Sequence, residues 1–388
     1  MRNIGLDLGV RKIAFCEVAD GKVIKRCEVK TIDELAPLLG PGTGEAVVAF
    51  EACRTAWYVN ATLVGWGQHP KMVDTTRVRQ LGIGSHGRKT DTIDAEHIAR
   101  AVEAGRIPEA HVLSEERQVL RHQMLVRRHL VEARTAAIVT IRGQLVAEGL
   151  RLPICDSDVF LSRLRDLDLP PKTRERLAPI VVVLTAIEGQ LVVVDTALEQ
   201  RCAKDDTIMR LATAPGVGFV LAVTFVSVID DARRFRSAAQ VRSFLGLVPS
   251  EKSSGDRRAL GHITRAGNPY VRCLLTQAAQ VILSKRFSVN QPDDAIQIWG
   301  QSLLAKIGRP KTVIAIARRL AGVLWAMWKK RTSYEPVLAA EASKRGVEMD
   351  VETRRALADK LDTAKKKLRL RASATTRRAR TLEKLVQP

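Results

Sequence analysis

Four acidic residues near the start of the chain have the residue types and the spacing of a metal site. Asp7 follows the apolar segment "NIGL", and Glu51 closes a second apolar segment, "AVVAF". Asp91 and Asp94 are three residues apart at the start of a predicted helix, so their side chains share one helical face. In an α/β domain, strand ends and the first turns of the following helices meet at one edge of the sheet. The pattern therefore predicts four carboxylates at that edge.

Four carboxylates in one place repel each other unless a cation neutralises them. Mg²⁺ is the natural candidate, because it prefers oxygen ligands and keeps waters that phosphate oxygens can displace. Two such ions about 4 Å apart can assist both the attacking and the leaving oxygen in phosphodiester chemistry. Taken singly, each acid has a simpler explanation: Asp7 could be a turn residue, and Asp91 or Asp94 a helix N-cap. Only the combination of all four favours the metal site.

The elements that must position these acids are visible as alternating apolar patterns in the first hundred residues. They predict an α/β domain over residues 1–110, with the order of a sheet-centred nuclease core. The segments "RNIGLDLGV", "KIAFCEVAD", "KVIKRCEVK" and "EAVVAFEAC" are predicted strands, "HPKMVDTT" is extended, and "WYVNATLVGWG" and "DTIDAEHIARAVEAG" are predicted helices.

Residues 111–205 replace the strand pattern with long helical periodicity. The Pro170–Pro171 pair interrupts the helices, which predicts an antiparallel hairpin of two long helices. A core-facing stripe within one domain and an intermolecular coiled coil explain the apolar seam equally well. That seam consists of Leu177, Ile180, Leu184, Ile187, Leu191, Val194 and Leu198.

The charge of the chain favours a polyanionic partner. The 388 residues include 63 Lys and Arg against 42 Asp and Glu, a formal net charge of +21. Nucleic acid is the simplest such partner, and a membrane surface fits less well. Two basic stretches carry much of the excess, "AKIGRPKTVIAIARRLAGVLWAMWKKR" and the tail segment "KKKLRLRASATTRRARTLEK".

Targeting and cysteine patterns favour a reduced, cytoplasmic protein. The first residues lack the apolar core of a secretory signal, and the longest apolar run, "VGFVLAVTFVSVI", is too short to cross a bilayer. The six cysteines form no CxxC pair and no cluster at zinc spacing. We expect no membrane insertion and no zinc.

A third region, from about residue 206 to 334, contains a candidate phosphate contact. The glycines of "PGVG", Gly216 and Gly218, lie between two predicted helices, as in a helix-hairpin-helix turn that offers backbone amides to DNA. The motif is short, and any tight connection between helices could use the same glycines.

Six short segments stand in a recognisable order and at recognisable separations: "IGLDLG", "FEAC", "KTDTIDAEHIA", "APGVG", "FLGLVPSEKSSG" and "RAGNPYVR". In this they resemble the insertion-sequence transposases that carry a RuvC-like Asp-Glu-Asp-Asp domain and use a bridge RNA. The resemblance implies an RNase H-like (RuvC-like) N-terminal domain that holds Mg²⁺, a coiled-coil middle segment through which copies associate, and a mainly α-helical transposase domain with a serine nucleophile. It also implies a tetramer acting on double-stranded DNA.

Site residues carry over one at a time from this resemblance. Asp7, Glu51, Asp91 and Asp94 match the acidic tetrad. The family's serine precedes a glycine in the loop after a Gly-Leu-x-Pro element, which matches Ser254, with Ser253 beside it as the alternative. Candidate nucleic-acid contacts, beside Gly216 and Gly218, are Lys252, Arg257, Arg258 and Arg265.

The leading hypothesis is thus an RNA-guided DNA recombinase in the cytoplasm, associated with the nucleoid. A RuvC-like nuclease that hydrolyses branched DNA is the enzymatic alternative, although it would not require the second half of the chain. A non-catalytic nucleic-acid scaffold is the alternative from another class. The expected domains are 1–110, 111–205, 206–334 and a basic helical tail, 335–388, which the resemblance covers poorly.

Overall fold

The computed structural model describes residues 1–74, 77, 91–251, 260–284, 287 and 294–335. Contacts divide the chain into two compact units, Met1–Leu113 and Ser114–Pro388. They are called here the N-terminal unit and the C-terminal unit. The predicted division into an α/β part followed by a helical part is confirmed. The boundaries predicted at 205 and 334 stay predictions.

The N-terminal unit is built on a five-stranded mixed sheet in the order β3-β2-β1-β4-β5. β1 pairs antiparallel with β2, which pairs antiparallel with β3, whereas β1, β4 and β5 run parallel. The strands are β1 (Arg2–Leu8), β2 (Ile13–Ala19), β3 (Lys22–Val29), β4 (Ala46–Glu51) and β5 (His69–Val73). All lie where the apolar patterns predict them.

Helices cover both faces of this sheet. They are α1 (Ala36–Leu39), preceded by the 3₁₀ turn Asp33–Leu35, α2 (Ala56–Gly65) and α3 (Asp91–Glu103). One face of the sheet, with Leu6 and Phe50, forms the larger apolar core together with residues of α1 and α2. The other face packs against α3 through small residues such as Ala14 and Ala95. The central strands are therefore buried on both faces, as parallel strands usually are.

Two long helices, α4 (Glu115–Ala147) and α6 (Pro171–Cys202), pack against each other in the C-terminal unit. Arg127 pairs with Asp195, and Arg134 lies near Glu188, so residue numbers rise along one helix as they fall along the other. The two helices therefore form an antiparallel hairpin. The short α5 (Phe160–Arg165), preceded by the 3₁₀ turn Ser157–Val159, lies in the connection.

The hairpin seam has two apolar cores along its length. Leu177 and Leu184 belong to a core with residues of α4 and α5, whereas Leu198 joins the main helical core of the unit. Leu191 is buried as well, so leucines seven residues apart are all buried. Ile180, Ile187 and Val194 are half-buried.

The main helical core surrounds α8 (Phe219–Ile229), whose nine residues from Leu221 to Ile229 are all buried. Side-chain caps start several neighbouring helices, with Asp205, Asn268 and Asp294 each accepting two backbone N–H bonds. The remaining elements are α7 (Asp206–Leu211), α8 (Phe219–Ile229), the 3₁₀ turn Ala232–Arg234, α9 (Ala238–Phe244), β6 (Pro249–Glu251), β7 (Leu260–Ile263), α10 (Pro269–Ile282), α11 (Ala295–Ile307) and α12 (Arg309–Lys330).

Within the described ranges, α6 is long and apolar enough to span a bilayer by length and composition alone. It carries Glu188 near its middle and Asp195 closer to its end, and each faces an arginine of α4. These ion pairs and the buried leucine seam are those of a helix that packs on another helix.

Candidate functional site

The strand register brings Asp7 and Glu51 to the same edge of the N-terminal sheet. β1 and β4 are parallel neighbours, and Leu6 lies opposite Phe50. Asp7 and Glu51 are the next residue on each strand. Both are half-buried. The strand register therefore places these two residues side by side on neighbouring strands.

Both carboxylates lie on the face of the sheet that α3 covers. Asp7 is the register partner of Ala14, which packs against α3. Glu51 is two residues after Ala49, which packs against Ile98 of α3. Residues two apart on a strand, and residues directly opposite each other on antiparallel strands, share a face.

The direction of α3 brings its first turn to the same edge. At the end of the helix, Arg100 donates from Nη1 to the Gly21 carbonyl (2.9 Å), and the Gly21 amide donates to Glu103 (3.1 Å). Gly21 lies in the β2–β3 turn, near the beginning of β1. The start of α3, with Asp91 and Asp94, therefore lies towards the end of β1, where Asp7 stands.

A glycine allows the close approach of α3 to β1. A Cβ built on Gly5 would lie 2.1 Å from the Ala95 carbonyl oxygen and 2.6 Å from the Ala99 nitrogen. Ala95 directly follows Asp94. Any larger residue at position 5 would push the helix, and the acidic residues at its start, away from the strand.

The donor set at this edge fits a hard divalent cation. Asp7, Glu51 and Asp94 offer half-buried carboxylate oxygens, which Mg²⁺ accepts readily. The side chain of Asp91 lies outside the described part of the structure. Among the residues that are described, no group of three or more His, Cys, Asp or Glu has the geometry to hold a metal. The complete tetrad stays a prediction.

Sequence reasoning missed one further acid at this edge. Asp74 directly follows β5, whose last residue, Val73, is the register partner of Glu51. Its backbone amide donates to the Pro108 carbonyl (3.0 Å), and Arg77 lies 3.7 Å from its carboxylate. The signal was available, since Asp74 ends an apolar strand just as Asp7 and Glu51 do.

In the C-terminal unit, a two-stranded ribbon brackets the predicted serine loop. β6 and β7 pair antiparallel, and Glu251 lies opposite Leu260. Residues 252–259 connect these paired ends. They include Lys252, Ser253, Ser254, Arg257 and Arg258, which all lie outside the described residues. The structure therefore fixes where the loop begins and ends.

The base of this ribbon is closely packed main chain. The Arg265 amide donates to the Gly246 carbonyl (3.2 Å), and the Thr264 amide donates to the Val248 carbonyl (2.9 Å). A Cβ on Gly246, which has φ +67°, would lie 2.0 Å from the Ala266 carbonyl oxygen. Arg265 itself has a left-handed backbone, with φ 55°. Residues with a side chain adopt this conformation rarely and at some cost.

The two glycines predicted to contact phosphate have different surroundings. Gly216 has φ +67°, and a Cβ there would lie 2.7 Å from the Ala278 carbonyl oxygen of α10. Packing against α10 is thus sufficient reason for a glycine at this position. Gly218 is the exposed N-cap residue of α8, with open space around its Cα. A phosphate contact at either glycine stays a prediction.

Comparison with known proteins links these two regions in one family. A model of insertion-sequence transposases with a DEDD domain matches residues 4–148, and a model described as the transposase IS116/IS110/IS902 family matches residues 209–293. A probable family 20 transposase of Pseudomonas aeruginosa is 30% identical over 81% of this chain and 90% of its own length. The chain belongs to the IS116/IS110/IS902 transposase family.

Two further transposases are similar to this chain over comparable lengths. The transposase for insertion sequence element IS1111A of Coxiella burnetii is 25% identical, over 85% of this chain and 90% of its own length. The transposase for IS1328 of Yersinia enterocolitica is also 25% identical, over 85% of this chain and 98% of its own length. Membership of the family means that the chain acts in DNA transposition and that it binds, cuts and rejoins DNA.

Proposed function

We propose that this transposase cuts and rejoins double-stranded DNA through Ser254, with Mg²⁺ held by Asp7, Glu51, Asp91 and Asp94, under the guidance of a bridge RNA. One observation carries the proposal. Strand register and the path of α3 bring Asp7, Glu51 and the start of α3 to one edge of a sheet, in a member of a transposase family.

The fold of the N-terminal unit supports this assignment. We infer an RNase H-like (RuvC-like) domain from the strand order, with three antiparallel strands followed by two parallel ones. The candidate carboxylates occupy the carboxyl ends of the central parallel strands, where sheets of this kind place their sites.

The metal and the acidic residues would share the electrostatic work. When bound, Mg²⁺ supplies Lewis acidity to phosphate oxygens. The carboxylates of Asp7, Glu51 and Asp94 hold positive charge at the sheet edge and orient it towards DNA. Burial of the strands beneath them keeps these side chains in place.

The serine accounts for rejoining as well as cutting. Ser254 Oγ loses its proton and forms a bond to phosphorus, and the bond from phosphorus to one deoxyribose oxygen breaks as that oxygen takes up a proton. The protein–DNA ester keeps the energy of the broken phosphodiester, so attack by a new deoxyribose hydroxyl rejoins DNA without ATP. Water in the same place would only cut.

Positive charge in the C-terminal unit suits a phosphate backbone. Arg265 stands at the base of the ribbon, and Lys252, Arg257 and Arg258 lie in the loop with the serine. Arginines bind phosphate through paired N–H donors. We propose that these residues hold the reacting phosphate, and that Gly218, together with Gly216, offers backbone contacts to DNA nearby.

Guidance by RNA rests on the family resemblance and on charge. A net charge of +21 suits the binding of polyanions such as DNA and RNA. We propose that the basic tail, residues 335–388, adds RNA or DNA backbone contacts. Deleting residues 350–388 should then weaken binding and flatten its salt dependence.

We propose that the hairpin of α4 and α6 joins copies of the chain into a tetramer. The hairpin leaves apolar side chains outside its own seam. Val139 and Val146 are 62% and 61% exposed and lie two turns apart on α4, and Val182 and Val193 of α6 are 68% and 58% exposed. Such apolar stripes on paired helices are typical of further helix packing. This use of the hairpin also fits a protein that does not enter the membrane and works in the cytoplasm, at the nucleoid.

Sedimentation at several concentrations tests association. A double variant in which both Val182 and Val193 are replaced by Ser should sediment as smaller oligomers than the wild type. The matched control is Val64→Ser on α2, where the valine is 57% exposed but lies in the other unit. Equal sedimentation of both variants would contradict association through the hairpin.

A covalent-adduct assay tests the chemistry. Purified protein, its flanking noncoding RNA, Mg²⁺ and DNA carrying the ends of the element are incubated and separated under denaturing conditions. A protein–DNA band that is lost in Ser254→Ala and in Asp7→Ala, but kept in Ser253→Ala, supports the proposal and assigns the nucleophile.

Two other results would favour the alternatives. Nicked DNA without an adduct, kept in Ser254→Ala and lost in Asp7→Ala, would indicate a RuvC-like nuclease. Normal DNA and RNA binding with no cutting by the wild type under any condition would indicate a scaffold.

A further inference from the structure

Two chain segments meet at the base of the ribbon that brackets the serine loop. Residues 245–248 lead into β6, and residues 264–267 follow β7. The close approach of the two segments depends on glycine, because a Cβ on Gly267 would lie 2.0 Å from the Phe244 carbonyl oxygen. The contact therefore brings several carbonyl oxygens of the two segments close together.

Arg272 reaches both segments from the first turns of α10. Its Nη1 donates to the Ala266 carbonyl (2.7 Å), the Gly267 carbonyl (3.0 Å) and the Leu245 carbonyl (3.2 Å). Leu245 is the C-cap residue directly after α9, so its carbonyl has no partner further along that helix. One guanidinium thus bridges the entry and the exit of the ribbon.

The cation suits this position better than a neutral donor would. Carbonyl oxygens that converge carry partial negative charge, and the guanidinium offsets it with donors in a rigid plane. Burial lowers the pKa of Arg272, and nearby Arg265 lowers it further, yet an arginine keeps its charge in proteins. All three contacts are made by Nη1, and a lysine nitrogen lies one bond closer to the main chain, so an ammonium at position 272 would not reach the same carbonyls.

The bridge also holds an unfavourable backbone conformation. Arg265, with φ 55°, lies directly before Ala266, whose carbonyl accepts from Arg272. Its own amide donates to Gly246 across the contact. A non-glycine residue in the left-handed region is strained and persists where surrounding contacts fix it. Such residues occur often at functional sites.

We propose that Arg272 is a positioning residue for the serine loop. By joining the two ends of the ribbon it sets the direction in which the ribbon presents Ser254, and by fixing the turn at Arg265 it directs that guanidinium towards the reacting phosphate. Arg272 does not contact DNA in this role. The inference rests on the proposed serine mechanism and assigns a role to Arg272, the last residue of the segment "RAGNPYVR", to which the resemblance assigns none.

The test compares Arg272→Lys with a matched control, Arg242→Lys. Arg242 is another half-buried arginine of the same unit that donates to a main-chain carbonyl, Arg318 O at 3.1 Å, but its side chain reaches α12 and not the ribbon. For each protein the measurements are the single-turnover rate of adduct formation, the Kd for DNA and the melting temperature.

We expect Arg272→Lys to slow adduct formation by about 10- to 100-fold, the scale expected when a reacting group is misplaced by about 1 Å. Its Kd for DNA should stay within about threefold of the wild-type value. Arg242→Lys should lower the melting temperature without this selective loss of rate. Ethylguanidinium should partly restore the rate of Arg272→Ala. Equal rates in the two lysine variants, or a parallel loss of rate and affinity in Arg272→Lys, would overturn the inference.

A second readout separates this inference from the serine mechanism. Amide hydrogen exchange of Thr264 and Arg265, whose N–H groups donate across the base of the ribbon, should be faster in Arg272→Lys than in Arg242→Lys. Absence of an adduct in the wild type would refute the serine mechanism, while exchange would still report the bridge. Exchange equal in both variants would refute the bridge even if the adduct forms.

Discussion

The acidic edge of the N-terminal unit and the serine ribbon of the C-terminal unit are held in place by different means. Asp7 and Glu51 extend strands whose preceding residues, Leu6 and Phe50, are fully buried. The ribbon has two short strands, and at its base it depends on glycine contacts and on the hydrogen bonds of Arg272. An apolar core fixes the geometry of the acidic edge, whereas a few specific contacts fix the geometry of the ribbon.

This difference predicts different responses to mutation. Many contacts in an apolar core fix the position of a strand end, so we expect one apolar substitution to shift that end only slightly. The position of the ribbon is fixed by the hydrogen bonds of a few residues, so we expect one substitution to displace the whole ribbon. The acidic edge therefore suits a fixed metal site, whereas the ribbon suits a nucleophile whose placement is adjusted locally.

The largest effect is expected from Gly246→Ala, at the base of the ribbon. Alanine there would combine a left-handed backbone, worth roughly 1–2 kcal/mol, with a clash against the Ala266 carbonyl, worth roughly 1–3 kcal/mol. Adduct formation should be lost, while stabilisation of the N-terminal unit by Mg²⁺ should persist. Gly143→Ala, in open space on α4, is the control. An active Gly246→Ala protein would show that the ribbon does not need this contact.

A somewhat smaller effect is expected from Gly5→Ala, the corresponding change beneath the acidic edge. The added Cβ would meet the Ala95 carbonyl at 2.1 Å and move α3, at a cost of roughly 1–3 kcal/mol. Because Asp91 and Asp94 move with α3, the rise in melting temperature on adding Mg²⁺ should shrink. Gly65→Ala, at the end of α2 with no atom within 4 Å, serves as control. If Mg²⁺ raises the melting temperature of Gly5→Ala as much as that of the wild type, the position of α3 does not affect metal binding.

The smallest effect concerns the opposite end of β1, where Arg2 donates to both carboxylate oxygens of Glu17 at 2.8 and 2.9 Å. This hydrogen bonding lowers the pKa of Glu17 despite partial burial. A lowered pKa in the folded state means that the pair stabilises the fold at neutral pH. The stabilisation is then lost as the pH falls below the ordinary range of glutamate, about 4.3.

Calorimetry across pH checks this effect. The difference in melting temperature between the wild type and Glu17→Gln should be present at pH 7 and should narrow towards pH 3. Glu45→Gln, which removes an exposed carboxylate of the same unit, is the control. A difference that stays constant with pH would mean that the ion pair does not stabilise the sheet.

The sequence predicts the acidic edge better than the ribbon, for physical reasons. Period-two apolar patterns identify strands, and parallel strands place their carboxyl ends together, so Asp7 and Glu51 could be paired without a structure. Helical periodicity likewise predicts the hairpin of α4 and α6. Asp74 follows the same rule, although none of the six segments that carry the resemblance includes it.

The bridge by Arg272 could not be predicted in this way. Arg272 binds the main-chain carbonyls of residues 245, 266 and 267. Every residue has such a carbonyl, so the residue types in the sequence do not show which of them are bound. Gly216 illustrates the same limit, because the sequence does not indicate that this glycine lies close to the main chain of Ala278. A glycine in the sequence can indicate that main-chain atoms approach closely at that position, but it does not indicate which other segment they contact.

Because α4 and α6 pair in antiparallel fashion, the length of their hairpin can change by whole helical turns when equal numbers of residues are removed from both helices. At about 1.5 Å per residue, the 33 residues of α4 extend over roughly 50 Å. Removing seven residues from each helix beyond Arg127 and Asp195 would shorten this arm by about two turns and leave the ion pair at its base intact. Under the proposed association through the hairpin, a change in the length of this arm would change the distance between joined copies and leave the acidic edge and the ribbon unchanged.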